Sequence, residues 1–145
     1  MYYFLGLAVL WIILKIRERL QLTTLKTGDW QNQLADDVLL FCLSYYPSLR
    51  KKPIIRFVSD ESNLAGQFCF TSNSIILYRK NNLNKTDLIN TVIHEYFHYY
   101  IITSKTKYNL YQEQLDLFTY ANHPQEVLCK VMGKTLASIY LSSKK

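Results

Sequence analysis

A chain of 145 residues, 49% hydrophobic and 19% charged, carries enough apolar side chain to bury one core and shows no disorder signature. Its 17 Lys and Arg against 11 Asp and Glu give a formal charge of +6. The cations fall in separate groups, Lys15/Arg17/Arg19, Arg50/Lys51/Lys52, Arg79/Lys80 and Lys144/Lys145, which reads first as solvated faces and lends only weak support to nucleic-acid binding.

Residues 2–14 run without a charge and end at Lys15-Ile16-Arg17-Glu18-Arg19. As a helix this run spans only about 20 Å against the roughly 30 Å of a bilayer core, so crossing would need snorkelling by Lys15 and Arg17 or local thinning. A cleaved signal peptide fits poorly, because the basic residues follow the apolar run instead of preceding it. Two readings stand side by side. In one, residues 2–14 associate with a membrane as an anchor, and the positive-inside rule leaves the main domain in the cytoplasm. In the other, the helix packs on the domain or on a partner. Either way the chain divides into a hydrophobic N-terminal helix, 1–22, and a domain, 23–145.

Asp29 is placed to cap a helix over Trp30 to Tyr46, with apolar residues at Leu34, Val38, Leu39, Phe41, Cys42 and Tyr45 and a stop at Pro47. The basic loop Arg50-Lys51-Lys52-Pro53 leads to a strand over Ile54 to Val58. Gly66 to Phe70 and Ser74 to Tyr78, separated by Thr71-Ser72-Asn73, read as a hairpin. From Asn84, a plausible N-cap, to Ile102 the chain has no Pro or Gly and is apolar almost all round, the pattern of a buried helix. A polar loop, Ser104 to Lys107, precedes a helix over Asn109 to Tyr120, and a last helix starts at Pro124 and runs toward Tyr140. The order predicts an α+β domain with a three-stranded sheet. Cys42, Cys69 and Cys129, odd in number and in apolar contexts, suit buried thiols and a reducing compartment.

The buried helix carries His94-Glu95-Tyr96-Phe97-His98, an HExxH sequence. Residues four apart on a helix lie about 40° from each other around its axis, so His94 and His98 can share one zinc ion while Glu95 projects beside them as a candidate general base toward water. Two histidines and a carboxylate inside an apolar helix need a partner, and a metal ion is a natural one. A chance match would leave the histidines hydrogen-bonded in the core.

A catalytic zinc takes three protein ligands and keeps a place for water. The extension HExxHxxGxxH is absent, since Ile101 and Ser104 stand at its glycine and third histidine places. That leaves Glu113, Asp116, His123 and Glu126. Glu113 and Asp116 read as solvent-facing helix charges. Glu126 is preferred because Glu126, Cys129, Gly133 and Ala137 form a stripe of small residues headed by a carboxylate, which would let its helix lie close to the motif helix. The competing reading has His123 as N-cap, Pro124 at N1 and Glu126 as a capping carboxylate at N3. His123 is itself the alternative third ligand.

Val92-Ile93-His94-Glu95-Tyr96-Phe97-His98 followed by Asn122-His123-Pro124-Gln125-Glu126-Val127 resembles the small gluzincins of the SprT-like and ImmA/IrrE-type groups, over about Ile54 to Ala137. The resemblance implies a minimal zincin, its sheet packed on the HExxH helix and a later helix supplying the glutamate ligand. It also implies a peptide or protein substrate held along a sheet edge, for which Ser74 to Tyr78 is the expected strand. Cys129 stands where those domains carry alanine. The expectation is a zinc metallopeptidase with His94, His98 and Glu126 as ligands and Glu95 as base. Its rivals are a non-catalytic zinc-site binding protein and a DNA-associated SprT-like protease.

Overall fold

The computed structural model describes residues 30–144. Among them are four α-helices and one three-stranded mixed sheet, an α+β arrangement. The expected anchor, residues 2–14 of the 1–22 segment, lies outside the described residues. Among those described, no helix is long and apolar enough to cross a membrane, and the expectation of a cytoplasmic domain held by a membrane anchor is withdrawn.

Helix α1 (Trp30–Tyr45) buries Ala35, Val38, Leu39 and Cys42, which recur at three- and four-residue steps along one face. The chain then passes through the Arg50 loop into β1 (Ile54–Val58), β2 (Gly66–Cys69) and β3 (Ser74–Tyr78). β3 is the central strand: β1 runs parallel to it, Ile54 facing Ser74, and β2 runs antiparallel, Gly66 facing Leu77. This corrects the expected placing of Ser74–Tyr78 at the sheet edge. With Ser74, Ile75 and Leu77 all buried, β3 needs hydrogen-bond partners on both sides, and the edges fall to β1 and β2. Asn73, in the turn between them, takes the left-handed conformation (φ 47°), which asparagine adopts more readily than most residues.

Helix α2 (Lys85–Ile101) carries the HExxH sequence. The Asn84 side chain accepts from the Asp87 amide at 2.9 Å, closing its first turn. It is buried nearly all round, as its sequence predicts, with Leu88, Val92, Ile93, Tyr96 and Phe97 among its core residues. One flank meets the sheet, where Phe68 packs edge-on against Tyr99. Another flank meets α4, and its aromatic residues reach α1 and the segment after it, with Tyr46 against Phe97 and the Tyr96 hydroxyl donating to the Tyr46 carbonyl.

Arg50 closes the far end of α2. Its guanidinium donates to the carbonyls of Tyr99 (2.8 Å) and Ile102 (2.7 Å) and to Asn73 Oδ1 (3.3 Å), and it lies 4.8 Å from the Tyr99 ring centroid. A cation at the negative end of a helix, bonded to carbonyls that lack helical partners, is favourable on both counts. Arg50 is therefore part of the fold and not of a solvated basic face. Arg79 is likewise engaged, over the Phe57 ring and with Gln31.

Helix α3 (Lys105–Leu117) begins where a polar loop is expected. Ser104 caps it, accepting from the Lys107 amide, so the polar residues are its first turn. Helix α4 (Pro124–Ser143) starts at the expected proline and runs to Ser143.

Candidate metal centre

Helical spacing puts the two motif imidazoles on one side of α2, and α4 brings Glu126 to them. His94 Nε2 lies 3.0 Å from Glu126 Oε2, His98 Nε2 lies 3.1 Å from Glu126 Oε1, and the two Nε2 atoms are 3.2 Å apart. The ligand atoms of these three residues all lie within 4.8 Å of one another. Two atoms bonded to one zinc at about 2.0–2.1 Å and tetrahedral angles stand roughly 3.3 Å apart, close to the separations seen here. The donor set therefore fits a single tetrahedral ion with one position left over.

His98 and Glu126 are buried, while His94 is partly open. Burial alone would lower the His98 pKa, but its hydrogen bonds to Cys129 and Glu126 outweigh that and hold it well above the ordinary histidine value. For Glu126 burial pushes upward, and the two imidazoles and Tyr111 overcome it, leaving the carboxyl well below the usual range. Without a metal the cluster is thus a proton-sharing ion pair, which a cation would replace.

Two of the three candidate ligands, His98 and Glu126, are held from behind. His98 Nδ1 faces the Cys129 sulfur at 3.7 Å, which leaves Nε2 as the atom aimed at the centre. The Tyr111 hydroxyl of α3 donates to Glu126 Oε1 at 2.5 Å. Glu95 is buried, and burial raises its carboxyl above the usual carboxylate range, with His98 and His94 pulling the other way.

Of the other candidates, Glu113 and Asp116 are exposed on α3. His123 is buried with both ring nitrogens engaged: Nδ1 accepts from the Gln125 amide at 3.1 Å, and Nε2 donates to the Tyr111 carbonyl at 3.3 Å. It caps α4 and ties α3 to it. The competing picture of Glu126 as a capping carboxylate does not match this geometry, since its oxygens turn to the imidazoles and to Tyr111.

Gly66, Tyr111 and Tyr120 belong to the site without having been singled out from sequence. A Cβ at Gly66 would sit 2.7 Å from Thr91 Cγ2 and 3.1 Å from Glu95 Cγ. The glycine lets β2 approach the motif helix, and a glycine in a strand pattern is the signal that marks such approaches. Nothing distinguishes Tyr111 or Tyr120 among twelve tyrosines.

Comparison with protein-family models, with curated proteins and with solved structures gives no match to this chain.

Proposed function

We propose that the chain is a small zinc-dependent peptidase of the gluzincin kind, with His94, His98 and Glu126 holding the metal and Glu95 as general base. The observation that carries this is the convergence of two imidazole nitrogens and a carboxylate at near-tetrahedral spacing, with the buried Glu95 lining the same cleft. Zinc bound there would lower the pKa of water toward about 7 and polarise a carbonyl. Glu95 takes the proton from water and later hands it to the leaving amine. Burial raises its pKa above the usual carboxylate range, which makes it a stronger base than an exposed carboxylate. Tyr111 fixes the Glu126 carboxylate. Tyr120 lines the cleft, and its hydroxyl, protonated at neutral pH as in any ordinary tyrosine, supplies a hydrogen-bond donor for the carbonyl oxygen. A peptide lies along β2, the edge strand that lines the cleft, by strand addition.

The test compares zinc per chain and peptide hydrolysis, with and without chelator, for three proteins. Wild type should bind one zinc and hydrolyse. Glu126→Ala should lose zinc. Glu95→Gln should keep zinc while hydrolysis falls by about 10² or more, because an amide cannot serve as the base. Full zinc in Glu126→Ala would remove the third ligand. Full activity in Glu95→Gln would remove the mechanism, and zinc without hydrolysis in wild type would leave a binding protein.

A further inference from the structure

The cleft has two arms that meet at Glu95. One arm, a cavity of about 380 Å³, has apolar walls formed by Phe68 of β2, Ile102 beyond α2, and Tyr108 and Leu115 of α3. Its only charged lining residues apart from His98 are the site carboxylates Glu95 and Glu126. Phe68, Tyr108 and Leu115 are half-buried, so their rings and methyls face open space as well as one another. The other arm, about 330 Å³, is bounded by Asn63, Asn90 and Thr91, with His94 on its floor. Leu64, Gly66, Glu95 and Tyr120 line both.

Resting on the peptidase reading, we infer that the site selects an extended peptide with a bulky apolar residue in the α3 arm. A cavity near the lower end of the usual 300–1,000 Å³ range for ligand pockets suits one large side chain and not a cofactor. An aromatic or leucine side chain placed against Phe68, Tyr108 and Leu115 leaves water for apolar contact on several sides. An acidic one would be desolvated against these apolar groups without a hydrogen-bonding partner among them.

The experiment uses the full chain as Glu95→Gln loaded with zinc, so that bound peptide is not turned over. Fluorescein-labelled decapeptides with a Gly-Ser frame and one central Phe, Leu, Ser or Asp are titrated by anisotropy. The Phe and Leu peptides should bind at least about tenfold more tightly than the Ser and Asp peptides. Adding Leu115→Asp should abolish that difference, and α3 buries no residue, so this change leaves the fold in place. Equal binding of all four peptides, no binding of any, or a preference that survives Leu115→Asp would overturn the inference. Chelator-sensitive hydrolysis of the same peptides by wild type reads the peptidase assignment separately. Selective binding without hydrolysis sinks the enzyme and keeps the cleft, whereas hydrolysis without selectivity does the reverse.

Discussion

Helices α2 and α3 face the same cleft and are held in opposite ways. α2 buries most of its length against the sheet, α4 and the aromatic residues around α1. α3 buries none of its residues and is attached by a few contacts: the Tyr111 hydroxyl on Glu126, the Tyr111 carbonyl on His123, and Tyr108 stacked on Phe70 at 5.4 Å. The frame that carries His94, His98 and Glu126 is a packed core, and the wall opposite it is a helix resting on polar and aromatic pegs. A site built this way keeps its ligands at fixed spacing while the wall can adjust to what enters.

Amide hydrogen exchange should show the largest difference. Amides of Val92 to Phe97 should exchange only through global unfolding, and those in the middle of α3 about 10² or more faster, through local opening. Equal protection would mean that α3 belongs to the same cooperative unit, and the contrast drawn above would fail.

Arg50→Ala should damage the frame and not the wall. It leaves the Tyr99 and Ile102 carbonyls without their cationic donor, a loss of about 2 to 3 kcal/mol for hydrogen bonds to a charged group, read as a lower denaturation midpoint. Arg50→Lys should recover only part, because one ammonium cannot reproduce the fork that also reaches Asn73.

Gly66→Ala attacks the junction of β2 and α2. The added methyl meets Thr91 Cγ2 at 2.7 Å and both Glu95 Cγ and the Ile76 carbonyl at 3.1 Å. Relaxing such overpacking costs about 1 to 3 kcal/mol, and displacing Glu95 should reduce hydrolysis by roughly tenfold or more. Thr91→Ser, which removes that Cγ2, should rescue part of the stability in the double variant. Purely additive effects would show that the two side chains do not collide.

Changing pH tests the metal-free frame without mutation. Glu95 and His98 both have folded pKa values above their ordinary ones, so the folded state holds protons more tightly than the unfolded chain. The stability they contribute is present below the ordinary values and is lost as pH rises through the folded ones. Glu126 has the opposite shift; its contribution is present above the ordinary carboxylate value and lost on acidification. Metal-free protein should therefore be most stable in mildly acidic solution, between the ordinary carboxylate and histidine values, and weaken as pH rises through neutrality in denaturant titrations. A rise in stability from pH 5 to 8 would contradict the proton-sharing cluster.

The frame was legible in sequence because its signals are local. An uninterrupted apolar helix with an Asn84 cap, two histidines one turn apart and a proline opening the last helix each constrain their own neighbourhood. Glu126 was reachable because the small-residue stripe reports how one helix meets another. The order of the strands was not legible, since β1 pairs in parallel with β3 and not with β2, its neighbour in sequence, and no hairpin signal reports such a pairing. α3 was misread at its start because a run of Ser, Lys and Thr looks the same as a loop and as an exposed, capped first turn. Tyr111 and Tyr120 owe their place to that same helix and the turn after it, so nothing local could mark them.

Gly133→Ala should have the smallest effect, and its sign is informative. The small-residue stripe of α4 suggests that glycine is needed for α4 to approach α2, yet a Cβ built there has its nearest neighbours, His94 Cα and N and Ile93 Cγ2, at 4.0 Å. That is ordinary contact, so the methyl fills space without moving the helix that carries His94. Replacing glycine by alanine inside a helix lowers the entropy lost on folding by about 0.5 to 1 kcal/mol. Thermal unfolding of the variant should rise by roughly 2 to 4 °C, with zinc per chain unchanged. A fall in stability together with weaker zinc binding would mean that α2 and α4 pack more tightly than this contact shows, and that Glu126 reaches the imidazoles only because residue 133 has no side chain.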